Sequence, residues 1–247
     1  APPKRYLPGL AAECEPEQLA TEAARQARLG NGWIKLVGDW IDRGHGDLAP
    51  TYDQATITAA VDAAHAAGAR VAVHTFSESA ASMLIAAGVD SIEHGTGLSL
   101  ELIAVMARRQ IALVPTLTNI DNFPSYAAKG EAKFPRYAAH MRALHANFPA
   151  VVAAAYRAGV PIYAGTDAGS VVPHGQLAAE IIRLHEVGMT ATDALAAGSW
   201  SARKWLGLSG ITEGGLADLV VYAADPRNDL RVLRSPEAIM LRGRVVR

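Results

Sequence analysis

The chain has 247 residues, half of them hydrophobic and only 19% charged, so it can bury a large core and fits an α/β domain of ordinary size. Its 23 basic and 24 acidic side chains give a net charge of −1, which indicates no nucleic-acid partner, and no apolar run approaches the roughly 18 residues of a membrane span. One cysteine, Cys14, excludes internal disulfides and favours a cytoplasmic protein.

The first part of the chain predicts alternating helices and strands. Helix composition over 16–30 is followed by a short strand at 33–37, in which Lys35 is anomalous. A lysine inside an apolar strand either extends to solvent, as on an edge strand, or takes part in chemistry. Residues 38–50, rich in Gly and Asp, are predicted as a loop, and 52–68 as a long Ala-rich helix.

Two apolar runs then close on histidines. The runs at 71–73 and 89–92 end at His74 and His94, and the segment between them, 77–88, predicts a helix. The two strands would therefore be parallel, with both imidazoles at the carboxyl ends of neighbouring strands, where parallel α/β folds assemble their sites. One such histidine is usually structural, but two on successive strands make a metal site a serious alternative, because imidazole is the commonest protein ligand for zinc.

The following segments continue the alternation. A helix is predicted over 98–110 and a strand over 111–117. The polar excursion at 119–135 is the best candidate for a lid, and 134–159 predicts a helical region interrupted near Pro149.

A third informative strand, predicted at 161–167, ends at Asp167. Glycines on both sides allow the backbone to hold this carboxylate in an unusual geometry, although an Asx turn or a helix cap is the structural alternative. His174 precedes a helix predicted over 176–188 and could point its ring at a ligand; a last helix is predicted over 190–207.

The composition changes near residue 209. Strand-like segments at 218–223 and 239–246 predict that 209–247 is part of a small β module, attached to an α/β body over 1–208. That body contains five β-α units in series.

Motifs narrow the chemistry. No G-x-G-x-x-G, Walker or G-x-S-x-G motif is found, and Cys14 lies far from the strand-end histidines, so nucleotide binding and nucleophilic Ser or Cys catalysis have little support. A metal site fits the strand-end residues better: Lys35, His74, His94 and Asp167.

Several stretches together resemble the metal-dependent amidohydrolase superfamily, and more closely its imidazolonepropionase-like and prolidase-like branch. They are WIKLVGDW, ARVAVHTFSE, AGVDSIEHGTGLS, LVPTL, AGVPIYAGTDAGS and GGLADLVVYAADP with LRGRVV, in family order through nearly the whole chain. The resemblance implies a partial TIM-type β/α barrel with part of a small β-sandwich module at the C-terminus. It also implies that a carboxylated Lys35 bridges two divalent ions, that His74 and His94 bind the second ion, and that Asp167 binds the first and acts as general base, with His94 and Asp167 as the catalytic positions.

The implied reaction is hydrolysis of an amide bond in a small molecule or dipeptide by a metal-activated hydroxide, with two Zn²⁺ in the complete enzyme. Lysine can take its implied role only as a carbamate, since an ammonium has no lone pair for a metal. Tyr126, Arg136 and His174 are candidates for holding the substrate, with a surface role as the alternative for the first two. Substrate identity and oligomeric state stay open, a homo-oligomer included.

One departure from the family pattern changes the expectation for the chain as a whole. The family's His-x-His pair, at the end of the first barrel strand, is not formed by any of the eight histidines. We therefore expect the chain to begin after the third strand of a larger enzyme. Two alternatives remain: an inactive short chain that acts as a binding or assembly module, and a mononuclear hydrolase or deaminase on the same scaffold.

Overall fold

The fold is that of a computed structural model, which describes residues 1–3, 9, 11–169 and 171–247. The chain forms two compact units: Ala1–Pro115 with Ile120–Ile162, and Thr116–Asn119 with Tyr163–Arg247. The domain boundary predicted between 208 and 209 stays a prediction.

The described strands are β1 (Trp33–Val37), β2 (Asp39–Asp42), β3 (Asp47–Pro50), β4 (Arg70–Thr75), β5 (Ser91–His94), β6 (Ala112–Val114), β7 (Leu219–Val221), β8 (Ala238–Leu241) and β9 (Arg244–Val245). The described helices are α1 (Leu19–Leu29), α2 (Gln54–Ala66), α3 (Glu78–Ala87), α4 (Leu100–Arg109), α5 (Leu117–Ile120), α6 (Phe123–Gly130), α7 (Pro135–Arg157), α8 (Leu177–Glu186), α9 (Ala191–Ala197) and α10 (Trp200–Trp205).

A parallel sheet with strand order β1-β4-β5-β6 forms the centre of the first unit. Its buried apolar residues come from strands that alternate with helices along the chain, as the sequence predicts. The predicted α/β class with a parallel sheet is therefore confirmed.

The strand predicted at 161–167 is wrong within the described residues. Only Ile162 forms a bridge, parallel to Leu113, and the Leu113 N–H donates to the carbonyl of Pro161 at 2.8 Å. Glycine and aspartate, both depleted in strands, follow directly, and Asp167 has a positive φ of 51°, outside the β region.

Helix α3 begins and ends as the sequence predicts. The Ser77 hydroxyl oxygen accepts a hydrogen bond from the Ala80 N–H, and Gly88 ends the helix in the left-handed conformation with φ of 83°. These caps fix where the chain leaves β4 and enters β5, which places the two strand ends that carry His74 and His94.

The loop predicted at 38–50 is instead an antiparallel hairpin of β2 and β3. Its turn is stabilised by Asp42, whose Oδ1 accepts the N–H groups of Gly44 and His45. The high Gly and Asp content of the segment therefore marks a tight turn between two strands and not an irregular loop.

Three further predictions are corrected. The excursion at 119–135 is mostly helical, as part of α5 and all of α6, and the strand predicted at 111–117 is shorter, as β6. Helix α7 continues through Pro149, because its buried apolar face packs against α4 and α6, which outweighs the hydrogen bond that the proline removes.

In the second unit, a 3₁₀ helix at Leu230–Arg234 packs on α8. The helix predicted over 190–207 divides into α9 and α10 at Gly198, where an added Cβ would lie 2.5 Å from the Cδ1 of Ile181. The two predicted β segments are present, and the second one forms β8 and β9 around a turn at Gly243.

Among the helices that the structure describes, none combines the length and the apolar character needed to cross a membrane.

Candidate metal centre

The strand register places Lys35 and His74 on one face of the parallel sheet. Lys35 pairs with Ala72, and Val37 pairs with His74. Because side chains alternate between the two faces of a strand, Lys35 and His74 project from the same face of the sheet on neighbouring strands. Lys35 is exposed on β1, which is an edge strand of the described sheet. This position is compatible with both sequence interpretations of Lys35, extension into solvent and participation in chemistry.

His94 joins His74 through an unusual backbone conformation. His94 pairs with Thr75, so strand alternation alone would direct its side chain to the opposite face from His74. Its φ of 66° interrupts that alternation, and the centroid of its ring lies 4.8 Å from that of His74. A non-glycine residue in this conformation costs on the order of 1–3 kcal/mol, a strain that concentrates at functional sites.

Both imidazoles are neutral at pH 7. Burial, followed by the positive charge of Lys35, lowers the pKa of His74 from 6.5 to about 3. Burial likewise lowers the pKa of His94 well below 6.5, with His74 and Lys35 adding to the effect. Each ring therefore keeps a nitrogen lone pair, which is the form of histidine that binds metals.

Behind His74 lies Asp39, a fully buried carboxylate that the sequence interpretation did not single out. It accepts hydrogen bonds from the Ser77 N–H and hydroxyl, both at 2.6 Å, from the Phe76 N–H at 3.0 Å, and from the Thr75 hydroxyl at 3.2 Å. Burial raises the pKa of Asp39, and these donors oppose that rise. Asp39 thereby fixes the backbone that directly follows His74.

Asp39 also faces the imidazole of His74 itself. Its Oδ1 lies 3.7 Å from His74 Nε2. The contact is not an ion pair, because burial keeps the ring neutral. At this distance no hydrogen bond joins the two groups, so Asp39 acts on His74 through the backbone that follows it.

Aromatic side chains surround the two histidines. The ring of Phe76 lies 4.4 Å from that of His74 and 5.0 Å from that of His94, and Trp40 lies 5.3 Å from His74. Phe123 packs against Phe76 at 4.8 Å. This apolar shell explains why the histidines are desolvated, and it strengthens any electrostatic interaction made there.

A glycine allows the segment after His74 to pack closely. A Cβ on Gly97 would lie 2.6 Å from the carbonyl oxygen of Phe76 and 2.7 Å from the carbonyl carbon of Ser77. The second glycine of the G-T-G sequence after His94 therefore allows its backbone to lie close to the segment after His74, which Asp39 also holds in place.

The second unit contains Asp167 and His174. Asp167 is exposed, has a φ of 51°, and accepts a hydrogen bond from Asn119 Nδ2 at 2.8 Å. The unusual backbone geometry predicted for this residue is therefore present. His174 is exposed beside the same loop, since a Cβ on Gly169 would lie 3.8 Å from its Nε2.

The two candidate substrate residues of the first unit differ in their surroundings. Tyr126 is half-buried, with its ring 6.2 Å from that of Phe123, at the margin of the aromatic shell. Arg136 is exposed near the start of α7. Burial, with smaller contributions from Tyr126 and Asp39, raises the pKa of Tyr137 to about 12.

The donors of the first unit fit part of a metal site. Two neutral imidazoles side by side suit Zn²⁺ or a similar ion, and Lys35 would add an oxygen donor as a carbamate. Across the part of the chain that the structure describes, no three His, Cys, Asp or Glu side chains are grouped so that they could hold a metal ion.

Comparison with known proteins adds family membership to this geometry. An uncharacterized protein of Mycobacterium tuberculosis is 54% identical over 245 residues, which cover 99% of this chain and 66% of that protein. Ochratoxinase of Aspergillus niger is 29% identical over 175 residues, 68% of this chain and 35% of the enzyme. The chain thus spans about two thirds of the length of the mycobacterial relative.

Solved structures agree in fold. A Xaa-Pro dipeptidase with methionine bound in its active site has a TM-score of 0.81 and 29% identity, covering 94% of this chain and 58% of that one. The crystal structure of A. niger ochratoxinase has a TM-score of 0.78 at 22% identity, covering 98% of this chain and 58% of that one. The model of the amidohydrolase family matches residues 43–246, most of the chain. The chain therefore belongs to the amidohydrolase family.

Proposed function

We propose that the protein is a metal-dependent amidohydrolase that cleaves an amide bond in a small molecule or dipeptide. The observation that carries this proposal is the pair of buried, neutral imidazoles of His74 and His94, with ring centroids 4.8 Å apart, in a chain of the amidohydrolase family. Burying a polar imidazole costs free energy unless its ring nitrogens have partners. A metal ion provides such a partner for the lone pair of each ring.

In this proposal His74, His94 and a carboxylated Lys35 hold divalent metal, with zinc as the first candidate and two ions in the complete enzyme. When bound, the metal supplies Lewis-acid polarisation of the carbonyl and lowers the pKa of water to about 7. Asp39 holds the segment that follows His74 and so helps to position this histidine, and the aromatic shell of Trp40 and Phe76 limits access of bulk water.

Asp167 is the proposed general base. Hydrolysis of an amide requires one group that takes a proton from the attacking water and returns it to the leaving nitrogen, and a carboxylate can do both. The Asn119 amide donates to Oδ2 of Asp167 and so restricts the orientation of the carboxylate. Family resemblance is the further support for this role and for a second role of Asp167 as a metal ligand.

Dipeptides with a C-terminal proline are the first substrates to test, because a Xaa-Pro dipeptidase is among the similar structures at 29% identity. Such substrates carry a free carboxylate. Arg136 and Tyr126 are the candidates to bind it, and His174 is a separate candidate to contact the substrate.

The test is a hydrolysis assay on a panel of Xaa-Pro dipeptides and N-acyl amino acids, with the native-length protein stripped of metal by a chelator and then reloaded with zinc. We expect activity only after reloading, and loss of activity in Asp167→Asn but not in the control His45→Asn, which changes an exposed turn residue. Metal analysis separates the alternatives. Two ions per chain support the proposal, one ion supports a mononuclear enzyme, and no metal with no activity supports an inactive module and contradicts the proposal.

A further inference from the structure

We propose that Glu180 is a positioning residue for Asp167, acting through the 116–119 turn that carries Asn119. This inference rests on the proposed function, because it concerns the residue that we propose as general base. Glu180, Asp167 and the turn all belong to the second unit.

Glu180 is a charged residue in an unusually buried place. It lies on α8 with no exposed surface, and burial raises the pKa of its carboxyl group to about 7. An acidic side chain in such a place destabilises the fold unless hydrogen bonds compensate for its desolvation. The carboxylate therefore needs a specific set of donors.

Those donors are two consecutive backbone N–H groups. Glu180 Oε1 accepts from Leu117 at 2.8 Å, and Oε2 accepts from Thr118 at 2.9 Å. One carboxyl group thus accepts from both amides that open this turn, and in its ionised form these hydrogen bonds are about twice as strong as neutral ones.

The next residue, Asn119, carries the connection to Asp167. Its N–H donates to the carbonyl of Thr116 at 2.9 Å, which closes the turn, and Thr116 has a strained φ of 51°. The side-chain Nδ2 of Asn119 then donates to Asp167 Oδ2 at 2.8 Å. Because this hydrogen bond comes from the turn that Glu180 holds, the direction of the Asp167 carboxylate depends on that turn; the Asp167 backbone is itself strained.

A positioning role of Glu180 and a purely structural role predict different effects of its replacement. If Glu180 only stabilised the fold, its replacement would lower stability without changing the environment of the Asn119 amide in the folded protein. If it positions Asp167, the same replacement changes the Asn119 hydrogen bond and lowers kcat more than it raises KM, since Asp167 acts in the chemical step.

The test uses the native-length protein with Glu180→Gln, Asn119→Ala, the double variant, and the control Glu186→Gln, which removes an exposed ion pair with Arg183 on the same helix. The first readout is the side-chain amide resonance of Asn119 in spectra of Asn-labelled protein, assigned by its loss in Asn119→Ala. We expect this resonance to move in Glu180→Gln and to stay in place in Glu186→Gln. An unchanged resonance in Glu180→Gln would overturn the proposal.

The second readout is a double-mutant cycle on kcat. Each single variant should lower kcat by about 10–100-fold, and the double variant should resemble the worse single variant, because both act through one path. Losses that multiply would mean independent effects and would also overturn the proposal. If Glu180→Gln does not fold, Glu180→Asp, which keeps the charge and withdraws the carboxylate by one methylene, is measured in the same way.

The spectroscopic readout needs no activity, so failure of the two proposals can be told apart. A moved Asn119 resonance together with full activity of Asp167→Asn would refute Asp167 as the base while leaving the Glu180 connection in place. An unmoved resonance with an inactive Asp167→Asn would refute the connection alone.

Discussion

Acidification should destabilise the metal-free protein through His74, and the size of the effect follows from its burial. Burial lowers the pKa of His74 from 6.5 to about 3, so the unfolded chain takes up a proton between these values that the folded chain excludes. Stability therefore falls as the pH drops below 6.5. Linkage gives a loss of about 2 kcal/mol in the free energy of unfolding between pH 7 and pH 5 from this one imidazole.

The assay is urea unfolding at pH 7 and pH 5, followed by circular dichroism, with the protein kept metal-free by a chelator. His74→Gln should abolish about 2 kcal/mol of the pH-dependent loss, because it removes the group that titrates. His45→Gln, which replaces an exposed ring in the turn between β2 and β3, should keep the loss of the wild type. Equal losses in wild type and His74→Gln would refute the conclusion that the imidazole is buried in its neutral form.

Three further substitutions test the metal centre. Lys35→Ala should lower both the metal content and the activity of the native-length protein, and unchanged zinc in elemental analysis would refute the bridging role. Asp39→Asn should cost roughly 3 kcal/mol in urea unfolding and weaken zinc binding about 10–100-fold in a competitive chelator titration, because it breaks the hydrogen bonds that hold the segment after His74; wild-type affinity would count against the orienting role. Gly97→Ala should cost about 1–3 kcal/mol by forcing the backbone after His74 apart, whereas Gly210→Ala, with nothing within 4 Å, should not; equal stability of the two variants would exclude this packing constraint.

The fold was largely predictable where hydrophobic period and capping agreed. A helix was predicted over 77–88, between two apolar runs, and the structure has α3 there, between two parallel strands. The incorrect predictions concern segments whose local composition is compatible with more than one secondary structure. Gly and Asp at 38–50 mark a turn inside a hairpin, and polar residues at 119–135 form the exposed sides of short helices, which only tertiary packing decides.

The candidate metal centre was predictable in its residue types but not in its geometry. Strand-end position pointed to His74 and His94, yet strand alternation would separate them, and only the positive φ of His94 brings the rings together. Asp39 lies in a stretch that resembles the family but carried no motif of its own; an acidic residue between Gly38 and Trp40 at the end of a buried strand was the available signal. Glu180 had no signal, because it occurs inside an ordinary amphipathic helix and its partners are 62 and 63 residues away.

Anomalous X-ray scattering at the zinc edge, on crystals of the native-length protein grown with zinc, would test the central claim most directly. We expect a peak roughly 2.0–2.1 Å from one ring nitrogen of His74 and one of His94. A zinc-saturated crystal with no peak between these two imidazoles would contradict the claim that His74 and His94 bind the metal.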